Sequence, residues 1–386
     1  MGKSKTAKKA DLGRSVEMEG HDLLLKVAQL SFVDGKKNNQ IAVLLHKDRL
    51  LASPTNTRLV QKLINKAAQW LLEEHERRQA EDNAALLPDL GDALKAKYGH
   101  LLEARVLRSS PIQTNSDYAR LRRRMAKATA DYFDELAETA EQQGEELHVG
   151  VGGGQTVLEV VTSLPERTRP HLYFYPSAII GRGGIIDLSS VGPETNATIA
   201  WGRNGWIQNR LHYGTVTPYE IGSREKLDLN GIRRQIAENI ESFLSIAAIK
   251  KVLLSMANIN VAIAGLGPLR PADDAPESTI VPTLYALSVL HRLGIEAQIL
   301  AQEGVIGSLS YCLFDENGKG DEKWNFFLTA GYPKGLELYR DLVEDKRPVI
   351  VTGGPYKEQV IKTALDARLF NVLITDAVTA KRLMED

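Results

Sequence analysis

Hydrophobic positions near the start of the chain repeat at helical spacing. One set runs from Leu23 to Phe32, a shorter set runs from Ile41 to Leu45, and a third runs from Leu59 to Ala67. Apolar residues spaced three and four positions apart indicate amphipathic helices. The pattern therefore predicts three helices within about 50 residues, which is the layout of a helix-turn-helix domain.

From Leu101 onward, short apolar runs alternate with longer amphipathic stretches. Helices are predicted over 117–143, 231–257, 283–293 and 357–368. Strands that alternate with helices indicate βαβ units, so we expect an α/β fold with a doubly wound, mainly parallel Rossmann-like sheet. The predicted strands are Leu147–Val151, Leu172–Tyr175, Val261–Gly265, Glu296–Leu300, Pro348–Val351 and Asn371–Ile374.

Composition is ordinary for a globular protein, with 43% hydrophobic and 25% charged residues among 386. The length predicts more than one domain. We expect a flexible basic tail over 1–20, a helix-turn-helix domain over 21–72, a charged helical linker over 73–90 and an α/β domain over 91–386.

Cysteine content and hydropathy indicate the cellular compartment of the protein. Cys312 is the only cysteine, so no disulfide forms within the chain, and no apolar stretch reaches the roughly 18 residues of a membrane span. A cytoplasmic protein without membrane contact is expected.

Charge is unevenly distributed along the chain. Residues 1–80 hold 15 Lys and Arg against 9 Asp and Glu, a net charge of +6, which leaves −7 for the remainder of a chain whose total is −1. A basic N-terminal part favours an anionic partner such as DNA.

The glycine-rich segment after the strand Leu147–Val151 is the clearest binding signal. Gly152, Gly153 and Gly154 lead into a helix that begins near Gln155 and Thr156. Glycines allow close backbone approach, and the free N–H groups of a helix start attract phosphate. The segment lacks the Gly-Lys-Ser/Thr of a Walker loop and the third glycine of a dinucleotide fingerprint, and a purely structural turn stays open.

Further turns follow other predicted strands. Gly353 and Gly354 precede Lys357, and two strand–glycine–helix junctions can converge on one phosphorylated ligand at the carboxyl edge of the sheet. Arg182 offers a fork of donors for phosphate or carboxylate. Gly267 can line the same crevice, and the loop at Glu303 can hold sugar hydroxyls.

Signals for catalysis are weak. The eight histidines are scattered without ligand-like spacing, and no Gly-x-Ser-x-Gly motif occurs. Cys312 lies in an apolar, strand-like run from Leu309 to Phe314, where inert packing is favoured. No catalytic residue, metal site or cofactor is expected.

An ordered set of motifs resembles the SorC/DeoR-type sugar-responsive transcription regulators over about residues 90–386. The N-terminal part is similar to the family's DNA-binding domain, with the recognition helix near Val60–Ala67. The C-terminal motifs are Leu90–Gly99, Gly152–Thr156, Ala264–Gly267, Gly304–Gly307, Phe314–Gly318, Gly353–Lys357 and Asn371–Ala380.

The resemblance implies a DNA-binding regulator that senses a phosphorylated sugar and acts as a homodimer or homotetramer. Its sugar-binding fold resembles sugar-phosphate isomerases and deaminases. The phosphate would lie against Gly153, Gly154, Gln155, Thr156, Arg182 and Lys357, with Asp376 near the crevice. On the recognition helix, Arg58 and Lys62 would meet phosphates, and Gln61 or Asn65 a base edge.

Two alternatives stay open at this point. An enzyme acting on a sugar phosphate would need a base, for which Glu303 is the candidate. The turn between the second and third helices is roughly eight residues longer, from Asp48 to Thr55, than such domains keep it. The N-terminal domain can therefore also contact a protein partner in place of DNA.

Overall fold

The computed structural model places the chain in two compact units, Met1–Ala85 and Leu86–Asp386, and each is described by itself. Among the residues it describes, no helix is both long and apolar enough to cross a membrane. The described residues are 23–34, 36–48, 57–69, 86–109, 112–179, 193–204, 229–245, 258–269, 295–330 and 335–385, with 247, 250, 254 and 332.

The first unit contains the three predicted helices. Helix α1 covers 23–33, of which Gln29–Val33 forms a π-helical turn; α2 is Asn38–Lys47; α3 covers 57–69. Each helix buries one face in a common core made by Leu24, Val27, Ala28, Ile41, Ala42, Leu45, Val60 and Ala67. The predicted tail over 1–20, the turn over 49–56 and residues 73–85 of the predicted linker lie outside the described residues.

The second unit is an α/β sandwich around a parallel sheet. The described strands are β1 (Glu103–Leu107), β2 (Leu147–Val151), β3 (Leu172–Pro176), β4 (Ala178–Ile179), β5 (Val261–Ala264), β6 (Leu266–Pro268), β7 (Val305–Leu309), β8 (Cys312–Asp315), β9 (Leu328–Thr329), β10 (Val349–Thr352) and β11 (Val372–Asp376). Six of them form one sheet in the order β1-β11-β10-β5-β2-β3, and all its pairs are parallel. The predicted fold class is confirmed.

Helices cover both faces of this sheet, as a doubly wound fold requires. They are α4 (Pro88–Lys97), α5 (Asn115–Gln143), α6 (Gln155–Ser163), α7 (Pro193–Asn204), α8 (Leu229–Leu244), α9 (Ala297–Gln302), α10 (Glu337–Glu344), α11 (Glu358–Asp366) and α12 (Ala377–Met384). The strand β10 shows why both faces are apolar. Val349 and Val351 belong to the core under α10, α11 and α12, whereas Ile350 belongs to the core under α5 and α6.

The long helix α5 has clear start and stop signals. Thr114 accepts a hydrogen bond from the Asp117 backbone N–H, and the Asp117 carboxylate accepts one from the Thr114 backbone N–H, which forms a capping box. Gly144 ends the helix with φ of 70°. Between them, Leu121, Phe133 and other apolar residues pack on the sheet.

Two sequence-based predictions differ from the structure. The predicted strand Glu296–Leu300 is wrong, because Ala297–Gln302 is a helix in which only Leu300 is buried. A strand inside a parallel sheet is buried on both faces, and Ala, Gln and Leu favour a helix. Helix α8 ends at Leu244, and the described residues 247, 250 and 254 of the predicted helix 231–257 are helical as well. The strand-like run Leu309–Phe314 is split by a turn at Ser310. The predicted helix 283–293 lies outside the described residues.

We expect Gly91→Ala to destabilise the second unit by about 1–3 kcal/mol. In an exposed helix this change stabilises, but a methyl group at Gly91 would collide with the carbonyl oxygen of Ala104 in β1. Urea denaturation of purified protein measures the difference. Gly99→Ala is the control, because a methyl group there meets no atom within 4 Å, and equal stability of the two variants would contradict the packing argument.

Candidate functional site

The ends of three neighbouring strands bring glycine turns to one edge of the sheet. Strands β2, β5 and β10 are adjacent and parallel, so the turns that follow them share the carboxyl edge, where open α/β sheets bind ligands. These turns begin at Gly152, Gly265 and Gly353. The Gly152 N–H donates to Ile263 O at 2.8 Å and the Gly353 N–H donates to Ile374 O at 3.1 Å, so the turns after β2 and β10 are each anchored to a neighbouring strand.

Close packing explains why glycines occupy the first turn. A Cβ atom on Gly152 would lie 2.6 Å from the backbone nitrogen of Gly265, and one on Gly153 would overlap the Tyr311 hydroxyl. Gly154 has a φ of +100°, which side chains disfavour. The backbone of this loop therefore lies directly against the turn after β5 and the hairpin turn between β7 and β8.

Helix α6 starts immediately after the loop and presents its N-terminus there. Its N-cap residue is Gly154, which has no side chain to accept hydrogen bonds from the first turn. Gln155 is exposed and Thr156 is half-buried. Uncapped N–H groups at a helix start, together with the helix dipole, favour an anion at this point.

Asn196 holds the glycine loop in place. It lies in α7, is fully buried, and its Nδ2 donates to Gly152 O at 3.0 Å and reaches Gly154 O at 3.5 Å. Its Oδ1 is also buried and bonds to none of the described residues. A buried amide oxygen of this kind fits a hydroxyl or N–H donor from a ligand.

Lys357 links two of the turns. Although charged, it is only 6% exposed, and its Nζ donates to Leu266 O in β6 at 2.8 Å. Burial, together with the nearby positive charge of Arg122, lowers the pKa of Lys357 from 10.5 to about 8. An anion beside Nζ would reverse this shift, because an opposite charge stabilises the ammonium form.

Arg122 belongs to an ion pair beside Lys357. Its Nε and Nη2 donate to the two carboxylate oxygens of Glu159 at 2.9 and 2.8 Å, which joins α5 to α6. The guanidinium also lies 5.7 Å from the ring centre of Tyr118, and that ring packs against Tyr356 at 6.2 Å. The Arg122–Glu159 ion pair therefore places a partly buried guanidinium at the sheet edge where Lys357 lies.

Asp376 lies at the end of β11 and caps the last helix. Its carboxylate accepts from Val378 N at 2.9 Å, Thr379 Oγ1 at 2.6 Å and Ser109 Oγ at 3.0 Å. A Cβ atom on Gly354 would lie 3.4 Å from its Oδ2. Asp376 thus lies beside the glycine turn after β10, with its hydrogen bonds already directed to α12 and Ser109.

The other predicted effector residues lie apart from this group or outside the described part. Gly267 is in β6 opposite Ser308 of β7. Glu303 follows α9, where it forms an ion pair with Arg233 at 2.5 Å and accepts from Trp324 Nε1 at 2.9 Å. Burial opposes ionisation, but these hydrogen bonds hold the pKa of Glu303 below its ordinary value. Arg182 is outside the described residues.

The predicted DNA-reading residues lie on the outer side of α3. Arg58, Gln61, Lys62 and Asn65 are all exposed, whereas Val60 packs in the core. The structure brings two of them together, because Gln61 Nε2 donates to Asn65 Oδ1 at 3.0 Å. Gln61 also accepts from Asn38 of α2.

Sequence reasoning missed Asn196, Arg122 and Glu159. Tyr118 and Arg122 are one helical turn apart on a predicted helix, which places them on one face. The pairing of Arg122 with Glu159, and of Asn196 with the loop, depends on tertiary contacts that spacing does not reveal. Within the described part of the chain, no cluster of three or more His, Cys, Asp or Glu side chains has the arrangement of a metal site.

Comparison with known proteins connects this geometry to a family. Residues 235–385 match the family model described as "Putative sugar-binding domain". The predicted resemblance to SorC/DeoR-type regulators is confirmed. The matched stretch includes Gly267, Glu303, Gly353–Lys357 and Asp376, and it begins after the glycine loop.

Similar proteins include a curated relative and two solved structures. The deoxyribonucleoside regulator of Bacillus subtilis is 25% identical over 96% of this chain and 100% of its own length. The full-length sorbitol operon regulator SorC from Klebsiella pneumoniae is 19% identical, with a TM-score of 0.53 over 94% of this chain and 98% of that one. A DeoR family transcriptional regulator from Listeria monocytogenes is 15% identical, with a TM-score of 0.51 over 76% and 98%. These relatives are named as regulators, and the chain shares their fold.

Replacing Lys357 should change how stability depends on pH. Because the folded pKa of about 8 lies below the unfolded value of 10.5, the unfolded chain binds more protons between these values and wild-type stability rises with pH there. In Lys357→Met this contribution is lost. The stability difference between wild type and variant should change by about 3 kcal/mol from pH 7 to pH 10.5 in favour of the wild type.

Denaturant unfolding at several pH values measures this effect. Lys381→Met is the matched control, since Lys381 is exposed on α12. Parallel pH profiles for wild type and Lys357→Met would show that Lys357 is not desolvated.

Proposed function

We propose that the protein is a DNA-binding transcription regulator whose activity is controlled by a phosphorylated sugar bound at the carboxyl edge of the parallel sheet. The phosphate lies against Gly153, Gly154, Gln155, Thr156 and Lys357 in this proposal. The matched sugar-binding family and the regulators similar in sequence and fold support the general assignment. The chemistry of the edge supports the phosphate.

The observation that carries the phosphate assignment is the burial of Lys357. A buried ammonium group is stable only when paired or hydrogen-bonded, and the described structure gives it a single backbone carbonyl. Arg122 adds positive charge nearby, and α6 begins at the same edge with an uncapped N-terminus. A dianionic phosphate satisfies all three groups, and sugar hydroxyls can reach the buried Oδ1 of Asn196.

In this proposal, Glu303 has a structural or binding role and is not a catalytic base. The enzyme alternative needs a carboxylate that can take a proton from the sugar carbon, and a raised pKa serves that task. Glu303 instead has a lowered pKa and shares its oxygen with Arg233 and Trp324. We therefore assign Glu303 to structure or to binding of sugar hydroxyls, and no reaction to the protein.

The first unit supports the DNA partner. Arg58 and Lys62 lie exposed on α3, on the basic N-terminal part of the chain. A DNA partner also implies a cytoplasmic location, and the two-fold symmetry of typical operators implies a homodimer or homotetramer. The long turn after α2, which motivated the protein-partner alternative, lies outside the described residues apart from Asp48, whose carboxylate pairs with Lys26 of α1.

A sugar phosphate should raise the melting temperature of the wild-type protein. A ligand at 100 times its dissociation constant that binds only the folded state stabilises it by about 2.7 kcal/mol. A thermal-shift screen of pentose and hexose phosphates, with the unphosphorylated sugars and inorganic phosphate alongside, measures this. Lys357→Met should abolish the shift, and Lys381→Met should keep it.

The unphosphorylated sugars in the screen test the phosphate assignment separately from the pocket assignment. A shift with unphosphorylated sugars that equals the shift with their phosphates would contradict the phosphate assignment. No shift with any member of the panel would contradict the pocket itself.

DNA binding should depend steeply on salt. Each phosphate contact contributes a slope of roughly −0.9 in the logarithm of affinity against the logarithm of salt concentration. The double variant Arg58→Ala, Lys62→Ala loses two positive charges, so the magnitude of its slope should fall by about 1.8. Its binding should weaken to the same extent on all DNA sequences. Mobility-shift titrations with promoter DNA at several salt concentrations measure the slope, and Lys381→Ala controls for loss of charge elsewhere. Wild-type protein that shows no salt-sensitive binding would exclude the DNA assignment.

A further inference from the structure

Three side-chain amides form a continuous chain from α2 to α3. Asn38 Nδ2 donates to Gln61 Oε1 at 2.7 Å, and Gln61 Nε2 donates to Asn65 Oδ1 at 3.0 Å. Asn38 is the first residue of α2, whereas Gln61 and Asn65 lie one turn apart on the outer face of α3. The two helices thus share a polar contact on the surface, in addition to their apolar core.

These hydrogen bonds couple the orientations of the three amides. While Asn38 donates and Asn65 accepts, the Gln61 amide cannot rotate by half a turn without losing both bonds. One N–H and one lone pair of Gln61 are left to face outward, along with both N–H groups of Asn65. A donor and an acceptor side by side on one glutamine amide complement the N7 and N6 groups of adenine in the major groove.

The first turn of α2 is stabilised by a hydrogen bond and by core packing, so Asn38 is held in a fixed position beside Gln61. The Gln40 side chain accepts from the Lys37 backbone N–H at 3.0 Å, which stabilises the first turn. Further along the helix, Ile41 and Leu45 are fully buried against the core that also contains Val60 of α3. The spacing between Asn38 and Gln61 therefore depends on packed helices and not on a loop.

We infer that Asn38 is a positioning residue that sets the base preference of the protein by fixing the Gln61 amide, with an A·T pair preferred opposite Gln61. This inference rests on the proposed DNA binding. Asn38 itself contacts Gln61 and needs no contact with DNA. The exposed cations Lys36, Lys37, Arg58 and Lys62 around the amide chain provide attraction to phosphates without sequence preference.

The test uses the full-length protein and a random DNA library. Wild-type protein selects a binding site, and each base pair of that site is then changed singly and its affinity measured. In Asn38→Ala, discrimination at one A·T pair should fall roughly threefold to tenfold, the effect of releasing one ordered side chain. Affinity for unrelated DNA and the salt slope should stay unchanged. Gln61→Ala should lose the same discrimination, and the double variant should lose no more.

Two further variants separate positioning from a merely structural role. Asn39→Ala is the matched control, because it removes the same group from the next residue of α2 and should leave base preference intact. In Asn38→Asp the carboxylate accepts but cannot donate, so the Gln61 amide must turn and offer Nε2. The preferred base should then change, which loss of stability alone does not produce.

The outcomes distinguish this inference from the proposed function. Wild-type protein that selects no sequence overturns the DNA proposal and this inference with it. Selective wild-type binding with unchanged base preference in folded Asn38→Ala and Asn38→Asp overturns the inference alone. Thermal unfolding checks that each variant is folded, and if Asn38→Ala unfolds, Asn38→Asp decides the question by the presence or absence of a changed preference.

Discussion

The burial of the Lys357 ammonium group is the interaction on which the candidate site depends. One hydrogen bond to Leu266 O does not offset the cost of removing a charge from water, so the stability of the surrounding sheet must hold Lys357 in place. The positive charge of Arg122 adds to that cost, because it also lowers the pKa of Lys357. By pairing with Arg122, the Glu159 carboxylate reduces the cost of placing two cations at one edge.

The strand order makes this concentration of groups possible. Strands β2, β5 and β10 are neighbours in space but lie far apart in the chain, and their parallel direction places all three following turns at one edge. Each turn contains glycine where side chains would collide, and the turns after β2 and β5 lie in direct backbone contact. In the proposed site, backbone N–H groups at the sheet edge form the binding surface, and a few side chains such as Asn196 and Lys357 give it specificity.

Sequence patterns predicted the elements better than their partners. The predicted strands Pro348–Val351 and Asn371–Ile374, observed as Val349–Thr352 and Val372–Asp376, were identifiable because strands inside a parallel sheet are apolar on both faces. Ala297–Gln302 was misjudged because a short apolar run fits a helix and a strand equally well, and only burial distinguishes them. The location of Lys357 after a glycine turn was predictable, but its burial was not. Its contact with Leu266, like that of Asn196 with the loop, joins residues far apart in the chain, and no local pattern encodes such pairs.

In the proposed function, different side chains of the first unit provide electrostatic attraction and recognition of the partner, whereas in the second unit one small region provides both. At the sheet edge, the charge of Lys357 and the shape of the glycine turns act on the same ligand in the proposed function. On α3, the cations Arg58 and Lys62 are distinct from the amides Gln61 and Asn65. Charges attract any phosphate backbone, whereas an amide discriminates only when its donor and acceptor are held in a fixed orientation. The bond from Asn38 supplies that orientation from a neighbouring helix. Under the proposed DNA binding, sequence preference can thus change through Asn38 without a change in the electrostatic attraction between protein and DNA.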